Sequence, residues 1–169
     1  MNRVFDPPRL ARLLVSWEIG SSVGRQFVVE AKRDGAEFIE AEHMLLALAA
    51  SPDSEAAKLL HEFGLNHERL VAALREERRQ TLAFVGMKAT DTKVGATTEL
   101  DSRPSMGTSA KVAFRRALMG SRHDRRRARL RGIDLLAGIL EAEFGTVPRA
   151  LAIAGIDRIA LLSRARGSE

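Results

Sequence analysis

His43-Met44-Leu45-Leu46-Ala47-Leu48, followed at a short distance by Phe63-Gly64-Leu65-Asn66, is the stretch that decides the fold. Displaced by 91 positions, it lies over Asp134-Leu135-Leu136-Ala137-Gly138-Ile139 and Ala154-Gly155-Ile156-Asp157. Each copy carries a short apolar helix (Leu45, Leu46, Leu48; Leu135, Leu136, Ile139, Leu140) and a second helix, whose stripe in copy one is Ala56, Leu60 and Phe63. That stripe has the i, i+4, i+7 spacing of one helical face. The second helix of each copy is expected to stop at Gly64 or Gly155, where glycine takes the left-handed conformation without a steric cost. Leu65 or Ile156 then folds back as the apolar contact of the stop, and Asn66 or Asp157 caps the next helix. A unit that cannot bury its apolar face alone packs against its copy, so the duplication predicts one all-α globule of two four-helix repeats related by a pseudo-twofold axis.

Outward from the repeat, helices are predicted near 41–50, 54–63 and 67–83 in copy one and near 108–121, 133–142, 147–154 and 158–166 in copy two, with no convincing strand. Residues 7–34 are mostly helix-compatible from Pro7 and Pro8 onward, with Trp17 packed and an interruption at Gly20–Gly24. The expected organisation is an extension or extended first helix over 1–20, a first repeat over 21–84, a flexible linker over 85–107, and a second repeat over 108–169.

The 169 residues are 45% hydrophobic, enough for a real core. Cysteine is absent, which rules out disulfides and thiolate metal sites. No run approaches the roughly 20 apolar residues of a membrane span, and the N-terminus meets Asp6-Pro7-Pro8 before any apolar stretch. The expected location is cytoplasmic, with no membrane partner. Five of 27 basic residues are lysine, an arginine and alanine bias that suits a GC-rich bacterial genome.

Ile39-Glu40-Ala41-Glu42-His43-Met44-Leu45-Leu46, Ala56-Ala57-Lys58-Leu59-Leu60 and Phe63-Gly64-Leu65 together resemble the N-terminal double-repeat domain of Clp-type protein unfoldases, whose usual run is Ile-Gly-Thr-Glu-His-apolar-Leu-Leu. In copy two the counterpart, Leu130-Arg131-Gly132-Ile133-Asp134-Leu135-Leu136, keeps the apolar helix and loses the polar letters. The resemblance covers about residues 21–166. It implies a non-catalytic binding module of bacterial protein quality control that recognises substrates, adaptors or cyclic-peptide ligands of Clp unfoldases, delivering or sequestering them. The motor domains of those unfoldases carry a Gly-x-x-x-x-Gly-Lys-Ser/Thr loop. These residues contain none, and Gly107-Thr108-Ser109-Ala110-Lys111 has the wrong spacing. No enzyme activity and no cofactor are expected.

The resemblance also implies site residues. In some family members the Glu of each Thr-Glu-His motif holds the guanidinium of phosphorylated arginine, and Glu42 matches that position, because a carboxylate accepts two parallel bonds from a planar guanidinium. The preceding Thr is Ala41, and copy two has Gly132 and Ile133, so the second pocket is lost. The other reading of Glu42 is a carboxylate that favours the helix macrodipole. In the family an aromatic before each copy's first helix borders an apolar groove across the twofold that takes peptides and cyclic-peptide antibiotics. Phe5 and Met106 are the counterparts, and Lys111 is a further candidate ligand-binding residue; the alternative is that Phe5 and Met106 seal the core.

His43 suggests acid–base or metal chemistry, but His61, His67 and His123 are not at ligand spacing. A packed, hydrogen-bonded His43 is expected, since Asp134 at the repeat mate also serves as a polar group near a helix start. Charge is split along the chain. Residues 1–83 carry 11 basic and 13 acidic side chains, and residues 84–169 carry 16 and 9. Much of the excess lies at Arg122, Arg125, Arg126, Arg127, Arg129 and Arg131, in a loop five residues longer than its mate. That loop suits an acidic protein partner, nucleic-acid phosphates, or solvent alone. A nucleic-acid-binding accessory protein is therefore the alternative function.

Overall fold

The computed structural model describes residues 22–51, 53–86, 104–120 and 130–167. Copy one holds α1 (Ser22–Arg33), β1 (Phe38–Ile39), α2 (Ala41–Ala49), α3 (Glu55–Glu62) and α4 (His67–Phe84). Copy two holds β2 (Ser105–Met106), α5 (Thr108–Gly120), α6 (Gly132–Leu140), α7 (Thr146–Ile153) and α8 (Arg158–Ala165). The fold is all-α, with four helices per repeat among the described residues; the bounds of α2 to α8 fall within two residues of those read from periodicity, while α1 begins at Ser22, inside the expected interruption, and runs through Gly24.

Most helix contacts between the copies come in symmetric pairs. α2 packs on α6; α3 on α6 is mirrored by α7 on α2, and α4 on α7 is mirrored by α8 on α3. This is the pairing a pseudo-twofold axis requires. The central helices α2 and α6 are apolar around most of their circumference because both are enclosed: Met44, Leu45 and Leu48 on one side and Leu135, Leu136, Ile139 and Leu140 on the other are buried in a single cluster. α1 covers α2 with Phe27, and α5 covers α6 with Phe114.

The repeated corners are built alike. Gly64 and Gly155 have φ of 71° and 72°. The Leu65 amide donates to the Leu60 carbonyl (2.8 Å) and Gly64 to His61 (2.8 Å), matched by Ile156 to Leu151 (2.9 Å) and Gly155 to Ala152 (3.0 Å). Both are Schellman stops. Asn66 then accepts from the Arg69 amide, and Asp157 from the amides of Ile159 and Ala160. The Arg69 guanidinium donates to the Gly64 carbonyl (2.9 Å) and to the Ala154 carbonyl (2.8 Å), so one side chain ties the two corners together. Gly64→Val is expected to cost about 1 kcal/mol or more in chemical denaturation, since a branched residue must hold positive φ and its Cβ would sit 3.0 Å from the Arg69 guanidinium.

The chain departs from the sequence reading at two short strands. β1 and β2 pair in parallel, Phe38 with Ser105 and Ile39 with Met106. The end of the expected 85–107 linker is thus hydrogen-bonded to copy one. Two residues per strand are too few to show period-two alternation, and the partners lie 67 positions apart in the chain, so only the assembled fold brings them together.

Candidate functional site

The site is built at the start of α2. Glu40 caps that helix in extended conformation, and His43 in its first turn accepts the Glu40 amide at Nδ1 (3.0 Å). At the repeat mate, Asp134 accepts the Arg131 amide (3.0 Å). The histidine and the aspartate hold equivalent helix starts, as their aligned positions suggested. With Nδ1 occupied as an acceptor, the His43 proton sits on Nε2, which faces Asp34 at 3.5 Å.

Asp34, just past the end of α1, takes both arms of the Arg78 guanidinium (2.8 and 2.6 Å). Burial pushes its carboxyl up, but hydrogen bonds from His43 and Arg78 and the Arg78 charge outweigh burial and hold it well below the ordinary value of 3.8. Deeper in α1, buried Glu30 accepts from Gln26 (2.9 Å), Arg33 (3.0 Å) and His67 (3.2 Å). Glu77 of α4, also buried, accepts from Thr81 and from Arg149 of α7 at 2.7 Å. These bonds lock α1, α2, α4 and α7 into walls around a cleft of about 310 Å³.

Glu42 lines that cleft. It differs from the other carboxylates there: no side chain among the described residues donates to it. Its pKa is raised above the ordinary 4.5, first by burial and then by the neighbouring Glu40 and Asp34 carboxylates, against partial relief from its own amide and His43. A half-buried carboxylate so placed gains most from an incoming cation. Arg75 and Arg78 of α4 line the same cleft, together with the aliphatic Leu46, Val71 and Leu74 and with Thr146 of α7.

The other sequence-derived residues are dispersed. Met106 sits on β2, half-buried and packed against the core. Lys111 is exposed on α5 and does not line the Glu42 cleft. Arg131 is engaged with Asp134 and with Glu55 of copy one. Phe5, Arg122, Arg125, Arg126, Arg127 and Arg129, and the whole 1–20 segment with Trp17, lie outside the described residues. No cluster of three or more metal-ligating side chains occurs among the described residues.

Sequence reasoning missed three features. Glu40 reaches across the copies to the start of α5, accepting from the Ser109 amide (2.9 Å) and hydroxyl (2.5 Å), while Ser109 Oγ accepts the Ala41 amide (2.8 Å). The only signal for it is Gly107, where a Cβ would collide with the Glu40 carboxylate. Asp34 with Arg78 is a contact over 44 positions and leaves no trace in spacing. A second groove, about 460 Å³, runs between α5 and the α6–α7 loop, with Val112, Ile139 and an 88% exposed Phe144 on its walls.

The family described as the Clp repeat (R) N-terminal domain matches residues 28–145. No curated protein matches the chain. Among solved structures, the N-terminal domain of the caseinolytic protease associated chaperone ClpD from Arabidopsis thaliana is similar in fold, with a TM-score of 0.59 and 17% identity over 86% of this chain and 90% of that one. No helix among the described residues is long and apolar enough to cross a membrane. In Clp unfoldases, domains of this family are non-catalytic modules that bind substrates and adaptors. With the match spanning more than half of the chain, the chain belongs to the Clp repeat (R) N-terminal domain family.

Proposed function

We propose that this protein is a non-catalytic binding module of bacterial protein quality control, recognising peptide or protein ligands of Clp unfoldases and either delivering them or holding them away from the unfoldase. The observation that carries this reading is Glu42: a half-buried carboxylate with a raised pKa and no donor among the described residues, lining a cleft that Leu46, Val71 and Leu74 also line. Such a group is costly to leave unpaired, and a guanidinium from a ligand satisfies it with two parallel bonds. Copy two carries Ile133 at the matching position, so the module has one such site per chain.

The rival class is separated by salt. Neutralising Arg125, Arg126 and Arg127 frees up to three phosphates, so a duplex-DNA binder would show its log–log salt slope become shallower by about 0.9 for each phosphate no longer neutralised. The expected result is different: weak DNA affinity that vanishes at physiological salt, and ligand binding at the Glu42 cleft that survives the triple substitution. Fluorescence anisotropy with labelled DNA and calorimetry with phosphoarginine, run on both proteins, decide the matter. Tight, sequence-selective DNA binding abolished by the triple substitution would overturn the proposal.

A further inference from the structure

Beyond Glu42, which no side chain among the described residues hydrogen-bonds although the Arg78 charge acts on it, the cleft holds a second charged group open to a ligand. Arg33 is taken by Glu30 and Arg78 by Asp34, whereas Arg75, exposed on the same face of α4, pairs with no carboxylate among the described residues. Glu42 comes from α2 and Arg75 from α4, and the same cleft is lined by three aliphatic side chains, Leu46, Val71 and Leu74, among its charged groups. The cleft therefore offers an anion, aliphatic side chains and a cation within one concavity of about 310 Å³. That is a small volume, at the lower end of ligand pockets, suited to one long side chain and not to a folded segment.

A C-terminal arginine or lysine carries the complementary set in a single residue: a cationic head, a stem of methylene groups and a free α-carboxylate. We infer that this cleft captures peptide C-termini ending in a basic residue, with the head on Glu42, the stem on the aliphatic side chains of the lining and the terminal carboxylate on Arg75. The inference rests on the reading of Glu42 as a cation acceptor and adds the ligand's chemistry and a specificity-determining residue. Long basic side chains bury their stems on apolar surface while keeping the head in a polar setting, and a lining that mixes aliphatic with charged groups permits both. Arginine at Arg75 gives the carboxylate a planar, bidentate partner, the arrangement by which charge-assisted pairs gain both strength and direction. An internal basic residue supplies the head and stem but leaves Arg75 unmatched. The cleft thereby distinguishes a chain end from a chain interior, which is the distinction a module needs if it selects cleaved or naturally basic-ended proteins.

The test uses one short peptide ending in Val-Arg, made with a free C-terminal carboxylate and as the C-terminal amide, titrated calorimetrically into the whole protein. The acid form is expected to bind one per chain, and amidation to weaken binding at least about tenfold, the scale of one charge-assisted hydrogen bond. Arg75→Gln should erase the difference by weakening only the acid form, and Arg75→Glu should make the amide the better ligand. Both variants alter an exposed side chain, so the fold is not at risk. Glu42→Gln should weaken both peptides. Equal binding of acid and amide, or a preference that survives Arg75→Gln, would overturn the inference. If the two peptides bind alike and Glu42→Gln weakens both, the chain-end reading falls while Glu42 stands as a cation acceptor. Absence of any dependence on Glu42 overturns both. Failure of both peptides to bind overturns the inference, and phosphoarginine binding in the same instrument then reports separately on the broader reading.

Discussion

Glu42→Ala is expected to abolish guanidinium binding, and with it the one site per chain that copy one provides. Calorimetry with free phosphoarginine should give a stoichiometry of one for the unaltered protein. The variant should bind about a hundredfold more weakly or not at all, because it removes a bidentate, partly desolvated acceptor. Two further expectations are tied to the same side chain. Ile133→Glu alone should not create a second equal site, since the walls that position Glu42 come from Asp34, His43 and Arg78, and copy two lacks that set. Affinity should also fall with acidification at a pH above the ordinary glutamate value of 4.5, because burial and the nearby Glu40 and Asp34 raise the Glu42 pKa. The sign follows from the raised value: the protonated form gains population as pH falls through it, and a neutral carboxyl no longer attracts a cation. Two equal sites, or binding indifferent to Glu42, would count against the reading.

Gly138→Ala should produce the largest loss of stability among glycine substitutions. Gly138 is buried in α6 where that helix meets α5, and a Cβ there would fall on the Ala113 carbonyl oxygen and 2.7 Å from the Ala117 amide nitrogen. Backbone cannot rotate away as a flexible side chain can, so relief requires α5 and α6 to separate. The added methyl gains about 1 kcal/mol of helix propensity, but prying apart a close-packed helix pair costs more, and the net loss is expected to be about 2–3 kcal/mol. For a chain of this size that lowers Tm by roughly 4–12 °C. Gly120→Ala is the comparison. Its added Cβ meets nothing within 4 Å at the end of α5, so it should be neutral or slightly stabilising. Equal melting temperatures for the two variants would show that α5 and α6 are not held at the separation described.

The contrast between those two glycines marks the boundary between local code and assembled fold. Local and periodic signals were legible. The Gly-apolar-Asx corners at Gly64 and Gly155, the helix bounds and the buried stripes follow from propensities acting over a few residues, and the 91-position repeat turned two copies of that local code into a twofold fold. His43 and Asp134 were readable as helix-start groups because their role is met within three residues. The site was only half legible. Glu42 stood out through its motif, but its surroundings are contacts over long separations: Asp34 with Arg78, Glu77 with Arg149 and Glu40 with Ser109. Nothing in linear spacing encodes which carboxylate finds which arginine when many of each are available, and pairing is settled by which faces the packed helices bring together. The β1–β2 pair, the Arg75 wall of the cleft and the difference between Gly138 and Gly120 belong to the same class. Sequence determines where helices form and which stripes they bury; the distance of closest approach between those helices, and the charges left unpaired once they have packed, exist only in the assembled fold, because packing at near-crystalline density is a property of neighbours in space.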